Sequence, residues 1–247
     1  MKYRAAVFDM DGTILNTLED LTDSLNWALR EAGHRGNFAA DQVRHFYGSA
    51  IQTAISRALS VENGAPMEGI ENIGESVNPS VYGVDPEEVR RIHALYAPHY
   101  ASHCQIKPRP YDGIPELIRK LRDAGVKTAV VSNKSDEAVH TLVKDLFNGL
   151  FDAAAGEQPG IRRKPAPDMT LFALRKMGIP AESAVYIGDT EIDLQTAKNS
   201  GMECIAVTWG FRSEDVLKSR GASVICHTAG EVYREITGTE QGSHPPL

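Results

Sequence analysis

The sequence has few cysteines and no long apolar run. The three cysteines, Cys104, Cys204 and Cys226, are odd in number and show no CxxC spacing. This argues against a disulfide framework and predicts a reducing, cytoplasmic setting. The first apolar stretch ends at Asp9, before it reaches the roughly 7–15 residues of a secretory signal. No stretch approaches the roughly 20 apolar residues of a membrane span, so we predict no membrane partner.

The sequence also has fewer basic than acidic residues. The chain has 26 Lys and Arg against 33 Asp and Glu, and its net charge is -7 with neutral His. This balance provides no overall attraction to nucleic acid, and we predict none as a partner. The remaining composition, 42% hydrophobic and 24% charged, is that of an ordinary globular protein. A length of 247 residues suits one large domain, or one domain with a sizeable insertion.

Short apolar runs alternate with amphipathic segments over most of the chain. The predicted strands are Arg4–Phe8, Val126–Val131, Ala184–Ile187, Cys204–Val207 and Ser223–Cys226. The predicted helices between and after them are Ile114–Ala124, Ser135–Phe147, Asp168–Met177, Thr190–Ser200 and Ser213–Arg220. This alternation predicts an α/β fold with a parallel sheet covered by helices. Ligands of such sheets bind at the carboxyl ends of the strands.

Residues 16–100 interrupt the alternation and lack a strand signal. Helical spacing of apolar residues predicts Thr17–Ala32, Asp41–Phe46, Ser49–Leu59 and Pro86–Tyr100 as helices. The segment Glu62–Asp85 contains several glycines and two prolines, and we expect an exposed loop there. The predicted organisation is therefore a core of residues 1–15 and 101–236, a helical insertion of residues 16–100, and a flexible tail at 237–247.

The most informative motif is the DMDGT segment that directly follows the first predicted strand. Asp9 and Asp11 place two carboxylates at the carboxyl end of a buried strand. That arrangement is costly unless a cation or a proton offsets the charge. Gly12 permits close approach of the backbone to an anion. An ordinary turn at the end of the strand is the alternative, because Asp and Gly are common in turns.

Three later segments also place polar groups at strand ends or helix starts. Ser132 and Asn133 follow the second predicted strand, where a helix N-terminus could bind phosphate. Lys164 precedes a proline-stiffened helix start, and Asp189 and Asp193 follow the third predicted strand. Taken singly, these residues could be a helix N-cap, a surface lysine and helix-capping aspartates.

In this order, the four segments resemble the haloacid dehalogenase superfamily of phosphohydrolases. The segments Phe8–Leu15 and Thr208–Phe211 look like those of its phosphoglycolate phosphatase-like subgroup. The chain departs from the subgroup at Asn16, where Asp is common, and in the length of the Glu62–Asp85 segment. The resemblance implies a Rossmann-like α/β core, an inserted α-helical cap and a phosphomonoesterase activity.

The resemblance also implies a role for each motif residue. Asp9 would attack phosphorus and form an aspartyl-phosphate, while Asp11 would act as general acid and base. Ser132 would bind phosphoryl oxygens and Lys164 would offset developing charge. The remaining expected roles are substrate contacts by Gly12, Thr13 and Asn133, a Mg²⁺ site made by Asp9, the Asp11 backbone carbonyl and Asp189, and an orienting role for Asp193 towards Lys164 or a metal-bound water.

A charge count supports an acid role for Asp11. Four ionised aspartates set against Mg²⁺ and Lys164 leave one negative charge. A proton on Asp11 would make the site neutral before phosphate enters.

Substrate choice is expected to depend on the segment Arg44–Ser49. Gly48 would let a loop approach the substrate, and Arg44 or His45 could meet a carboxylate. A solvated helix end is the alternative. We predict a small phosphorylated metabolite, with 2-phosphoglycolate as the leading candidate, and a monomer or homodimer. A sugar phosphomutase, a dehalogenase and a receiver-type signalling module, which is also phosphorylated on Asp, remain competing interpretations.

Overall fold

A computed structural model describes residues 1–103 and 107–239 of the chain. These residues form two compact units. The first combines Met1–Leu15 with the chain from Pro110 onward, and the second is Asn16–Arg109. The second unit extends past the predicted boundary at residue 100, which lies inside a helix. The predicted tail, residues 237–247, falls mostly outside the described residues, which end at 239. The last helix ends at Thr237.

The first unit is built on a parallel six-stranded sheet. Its strands are β1 (Ala5–Phe8), β4 (Lys127–Ser135), β5 (Ala153–Glu157), β6 (Ala184–Gly188), β7 (Glu203–Val207) and β8 (Val224–Cys226). The strand order is β5-β4-β1-β6-β7-β8. Two short strands, β2 (Leu15–Asn16) and β3 (Arg109–Pro110), pair separately where the chain passes between the units.

Helices cover both faces of the six-stranded sheet. They are α5 (Ile114–Asp123), α6 (Asp136–Phe147), α7 (Asp168–Met177), α8 (Glu191–Asn199), α9 (Glu214–Ser219) and α10 (Ala229–Thr237). Successive residues of β1 alternate between two cores, because side chains point to opposite faces of a strand. Phe8 packs with residues of α5, α6 and α10, whereas Val7 packs with residues of α7 and α8.

The second unit is helical in its described part. It contains α1 (Leu18–Glu31), α2 (Ala40–Phe46), α3 (Ile51–Glu62), α4 (Pro86–His103) and two 3₁₀ helices at Ile70–Asn72 and Pro79–Tyr82. Arg57 of α3 is fully buried. Its guanidinium donates to the carbonyls of Phe46, Glu71 and Ile73 at 2.9, 2.5 and 3.1 Å. Arg57 therefore holds the end of α2 and the segment that follows α3 against α3 itself.

The fold class and the predicted strands are confirmed. The prediction omits β5 and α10, and also the short strands β2 and β3 and the 3₁₀ helices. Three consecutive alanines begin β5, and alanine has low strand propensity, so no strand signal is visible there. The segment Glu62–Asp85 is wrongly predicted as merely exposed, since Ile70 and Ile73 are buried. Within residues 1–103 and 107–239, no helix has the length and apolar character to cross a membrane.

Candidate active site

The site lies at the carboxyl ends of β1 and β6, in the first unit. These neighbouring strands are where the strand order reverses, since the chain leaves β1 towards β4 and leaves β6 towards β7. Crevices at such reversal points bind ligands in open α/β sheets. Asp9 follows β1, and its backbone N–H donates to the carbonyl of Ile187 at 2.9 Å. The two motifs that carry Asp9 and Asp189 are thereby brought side by side.

Asp189 is fully buried and receives a hydrogen bond on each oxygen. The hydroxyl of Thr13 donates to Oδ1 at 2.8 Å, and the backbone N–H of Phe211 donates to Oδ2 at 2.8 Å. The indole N–H of Trp209 donates to the carbonyl of Thr13 at 2.9 Å. Thr13 therefore orients Asp189, and its expected substrate contact stays a prediction.

Two glycines let the backbone approach the Asp189 carboxylate. Gly12 has φ +83°, and a Cβ there would lie 2.3 Å from Asp189 Oδ2. A Cβ on Gly210 would also lie 2.3 Å from that oxygen, and 2.4 Å from the Gly12 carbonyl oxygen. The anion that Gly12 approaches in the structure is thus the carboxylate of Asp189. Its expected role towards substrate phosphate stays a prediction.

Lys164 joins two of the predicted aspartates. Its Nζ lies 2.7 Å from Asp9 Oδ1 and 2.8 Å from Asp193 Oδ1, and all three side chains are buried. The other oxygen of Asp193 accepts from the backbone N–H of Asp189 at 3.2 Å, and from the backbone N–H and hydroxyl of Thr190 at 3.1 and 2.7 Å. Asp193 therefore caps α8 and contacts Lys164 at once.

Asn133 holds the backbone of Lys164. Its Oδ1 accepts from the Lys164 N–H at 2.8 Å, and its Nδ2 donates to the Lys164 carbonyl at 3.2 Å. This contact differs from the expected contact with substrate, which stays a prediction. Ser132 is buried, and its Oγ accepts from the backbone N–H of Lys134 at 3.2 Å. The N-cap of α6 is Ser135, so Ser132 is not a capping residue there.

Lys134 is the site residue that sequence reasoning missed. Its Nζ lies 2.9 Å from Asp11 Oδ1, and its side chain is 6% exposed. Lys134 lies two residues after Ser132 in the predicted phosphate-binding segment. That position could have identified it as a candidate. The earlier charge count omits this lysine and is therefore wrong. Four carboxylates and two ammonium groups leave two negative charges, so neutrality with a divalent cation needs no proton on Asp11.

Burial and crowding shift the titration of the site. Burial, followed by repulsion from Asp193, raises the pKa of Asp9 well above its usual range. The same two causes raise the pKa of Asp189 to about 7. Burial is the largest effect on Lys164 and opposes its charge, but the attraction of Asp193 and Asp9 raises its pKa well above its usual value. Lys164 therefore stays charged. Mutual repulsion acts on the aspartates and favours protonation of Asp9 and Asp189.

The cluster has the donors and the charge of a divalent-cation site. One carboxylate oxygen from each of Asp9, Asp189 and Asp193 lies within 4.8 Å of the others. Mg²⁺ prefers carboxylate oxygens. Burial first, and repulsion from Asp193 second, raise the pKa values of Asp9 and Asp189, and a bound cation would offset both effects. Asp193 is already engaged with Lys164 and Thr190. These contacts fit the orienting role expected of Asp193, and the expected assignment of Asp9 and Asp189 as ligands stays a prediction.

The candidate substrate-selecting residues lie in the second unit. His45 Nδ1 lies 2.6 Å from Glu71 Oε1, and Arg44 Nη1 lies 3.9 Å from Asp41 Oδ1. Gly48 has φ +107°, and Ser49 donates to Glu75 Oε1 at 3.1 Å. His45 thus attaches α2 to Glu71, and Ser49 attaches the start of the next helix to Glu75. The expected contact with substrate stays a prediction.

Comparisons with known proteins agree with this arrangement. The sequence profile of the haloacid dehalogenase-like hydrolases matches residues 6–207. A phosphoglycolate phosphatase of Mesorhizobium japonicum is 31% identical over 224 residues, which cover 90% of this chain and 89% of that protein. An N-acetylmuramic acid 6-phosphate phosphatase of Pseudomonas aeruginosa is 27% identical over 227 residues, which cover 91% of each chain.

A solved structure gives the same result for the fold. A protein of Lactobacillus delbrueckii subsp. bulgaricus, provisionally described as a phosphoglycolate phosphatase, is 50% identical and superposes with a TM-score of 0.90. The match covers 96% of this chain and 99% of that one. With the motif residues assembled at the ends of β1 and β6 and a profile match that covers most of the sequence, this chain is a hydrolase that belongs to the haloacid dehalogenase-like family.

Proposed function

We propose that this hydrolase is a Mg²⁺-dependent phosphomonoesterase that acts on a small organophosphate through an aspartyl-phosphate. The contact between Asp9 and Lys164, at 2.7 Å in a buried cluster of carboxylates, carries the proposal. It supports a carboxylate nucleophile whose charge is balanced by a neighbouring cation. A second aspartate, Asp11, lies two residues away with 20% of its side chain exposed, which suits a group that exchanges protons with substrate and water.

The proposed reaction has two steps on Asp9. In the first, an Asp9 oxygen attacks phosphorus, the bond from phosphorus to the leaving oxygen breaks, and Asp11, which carries a proton at this stage, gives it to that oxygen. In the second, water attacks the phosphorus of the aspartyl-phosphate, Asp11 takes up a proton of that water, and the bond from phosphorus to the Asp9 oxygen breaks, which releases phosphate and restores the Asp9 carboxylate. Lys164 stabilises charge on the phosphoryl oxygens in both steps, and Ser132 binds one of those oxygens.

Metal binding is proposed for Asp9 and Asp189, together with the backbone carbonyl of Asp11. When bound, Mg²⁺ supplies positive charge that lets a dianionic phosphate enter an acidic site. Thr13 and the Phe211 N–H keep the Asp189 carboxylate oriented, and Asp193 keeps Lys164 in place. Preformed contacts of this kind reduce the reorganisation needed during the reaction.

We propose 2-phosphoglycolate as the leading substrate. Several relatives bear the name phosphoglycolate phosphatase, whereas one acts on N-acetylmuramic acid 6-phosphate by name. The relatives thus share a phosphoryl-transfer core and differ in the rest of the substrate. A sugar phosphomutase remains a second candidate. A receiver module is disfavoured, because its phospho-aspartate has no partner in the role of Asp11.

A phosphate-release screen tests the proposal. Purified protein with Mg²⁺ is assayed against small phosphorylated acids, sugar phosphates and nucleotides, and hexose phosphate isomerisation is measured in parallel. We expect phosphate release to be fastest for a small phosphorylated acid. Isomerisation without release would indicate the mutase, and a stable phospho-protein without turnover would indicate the receiver module.

Asp9→Asn tests the nucleophile. The amide is a poor nucleophile and a poor metal ligand, so we expect phosphate release to fall below detection while the folded structure remains. Asp152→Asn is the matched control, because Asp152 pairs with Lys127 in an exposed contact at 2.7 Å. It should keep the activity of the original protein. Substantial activity in folded Asp9→Asn protein would remove Asp9 as nucleophile.

Metal removal tests the charge balance. EDTA should abolish phosphate release, and added Mg²⁺ should restore it. Ca²⁺ should restore it poorly, because its longer and looser coordination misplaces ligands arranged for Mg²⁺. Mg²⁺ should also raise the midpoint of thermal unfolding, since it binds the folded carboxylate cluster. Full activity in EDTA, or no thermal shift, would contradict the assigned metal site.

A further inference from the structure

The site holds two lysines whose side chains are largely buried, and they contact different aspartates. Lys164 contacts Asp9 and Asp193, whereas Lys134 contacts Asp11. We propose that Lys134 is a positioning residue that holds the Asp11 carboxylate towards the leaving oxygen. This inference rests on the proposed phosphomonoesterase function, and it assigns Lys134 no contact with the phosphoryl group.

The irregular end of β4 places Lys134 at the site. The regular pairing of β4 with β5 runs to Val131, and the register shifts between Val131 and Ser135. Lys134 lies in this shifted stretch, and its N–H is held by Ser132 Oγ at 3.2 Å. The start of the lysine side chain is therefore anchored beside a residue already proposed for phosphate binding.

Burial makes the contact between Lys134 and Asp11 persistent. Exposed ion pairs are held weakly because water competes for both partners. The Lys134 side chain is only 6% exposed, and a buried ammonium without an anionic neighbour is strongly disfavoured. The Asp11 oxygen at 2.9 Å supplies that neighbour. The ion pair thus restricts the rotation of the Asp11 side chain more than a surface contact would.

Charge repulsion gives Asp11 a reason to need such a restraint. Asp9 and Asp11 are two residues apart, and ionised carboxylates at that spacing repel each other. The Asp11 side chain is 20% exposed, against 9% for Asp9, so water competes for its oxygens. Proton transfer requires hydrogen-bond reach, and a misplacement of about 1 Å costs about a hundredfold in rate.

The test compares leaving groups that do and do not need a proton. An alkyl phosphate leaves as an alkoxide and needs the proton of Asp11, whereas 2,4-dinitrophenyl phosphate releases a stable phenolate. Lys134→Met should lower kcat/KM for the best alkyl phosphate from the screen by roughly tenfold to a hundredfold. For the dinitrophenyl ester, kcat/KM should change by less than about threefold. This change is clearly smaller than the loss expected for the alkyl phosphate.

Three further variants separate positioning from a merely structural role. Lys134→Arg keeps a cation and should recover part of the alkyl phosphate activity. Lys127→Met is the matched control, since Lys127 begins the same strand and pairs with Asp152 in an exposed contact; it should behave like the original protein. In an Asp11→Asn background, Lys134→Met should cause no further selective loss, because the group that it positions is gone.

The outcomes distinguish this inference from the proposed function. If the original protein releases no phosphate from any ester, the proposed function fails. If it is active, Lys134→Met could lower kcat/KM equally for the alkyl phosphate and the dinitrophenyl ester, or for neither. Lys134 then does not act through Asp11, and the inference is overturned. Circular dichroism establishes folding of each variant. If Lys134→Met does not fold, Lys134→Gln provides the same comparison between leaving groups.

Discussion

At the level of single residues, the raised pKa of Asp189 makes the stability of the folded protein depend on pH. Its pKa is raised from 3.8 to about 7 by burial first and by Asp193 second. The folded metal-free protein therefore holds a proton that the unfolded chain has lost, and stability falls as pH rises between these values. A shift of this size corresponds to at most about 4 kcal/mol.

We predict that Asp189→Asn flattens this dependence. Unfolding by urea in EDTA, measured from about pH 4 to pH 8, should show a smaller decline in free energy for Asp189→Asn than for the original protein. Excess Mg²⁺ should stabilise the original protein most near pH 7 and above, where the carboxylate is ionised. If the free energy of unfolding falls equally with pH in the two proteins, the raised pKa of Asp189 is contradicted.

At the level of structural elements, the turn after β7 contacts the residues proposed to bind the metal. Trp209 holds the Thr13 carbonyl, the Phe211 N–H holds Asp189, and Arg212 makes two contacts with Glu191 at 2.8 Å. Gly210 lies between these contacts. The turn is therefore tied to the two segments that follow the carboxyl ends of β1 and β6.

Gly210→Ala should disrupt the site without unfolding the sheet. The new Cβ would lie 2.3 Å from Asp189 Oδ2, so the carboxylate or the turn must move. We expect kcat/KM to fall by about a hundredfold, as a displacement of about 1 Å predicts, and the Mg²⁺ concentration needed for activity to rise. Kinetic titration with Mg²⁺ measures both effects.

Gly230→Ala is the matched control for this substitution. Gly230 lies in α10, and its nearest contact for a Cβ is 3.7 Å away at Arg234. Alanine favours helices over glycine by about 1 kcal/mol. We expect unchanged kinetics and equal or higher stability. Wild-type kinetics in Gly210→Ala would show that the turn does not orient Asp189.

At the level of the whole molecule, chemistry and selectivity are expected to separate between the two units. The unit Asn16–Arg109 contains none of the four motifs, yet Arg44 and His45 lie within it. If they select the substrate, Arg44→Ala and His45→Ala should each lower kcat/KM for a carboxylated phosphate by roughly tenfold to a hundredfold. This corresponds to about 1.5–3 kcal/mol for one charge-assisted contact.

A generic aryl phosphate supplies the comparison for these two variants. It lacks the carboxylate, so its kcat/KM should hardly change. Arg90→Ala is the control, because Arg90 is an exposed arginine of α4 that pairs with Glu87. Equal small effects on both substrates would place Arg44 and His45 on a solvated surface of the helical unit.

Local pattern was sufficient for five of the six strands of the sheet and for the positions of their polar ends. Asp9 and Asp189 each follow a short apolar run, and the carboxyl ends of neighbouring parallel strands meet at one edge. Their proximity was therefore predictable. The strand β5 was not, because alanine is compatible with helix as well as strand, and β5 forms by pairing with β4.

The partners of the site residues followed from tertiary structure. Asn133 meets the Lys164 backbone, and Lys134 meets Asp11, across long stretches of chain. Spacing along the chain carries no information on such pairs, because they depend on strand register, and a shift of one residue reverses which face a side chain occupies. The register shift in β4 is such a feature. The sequence identifies the charged groups of the site, and packing determines which carboxylate each lysine neutralises.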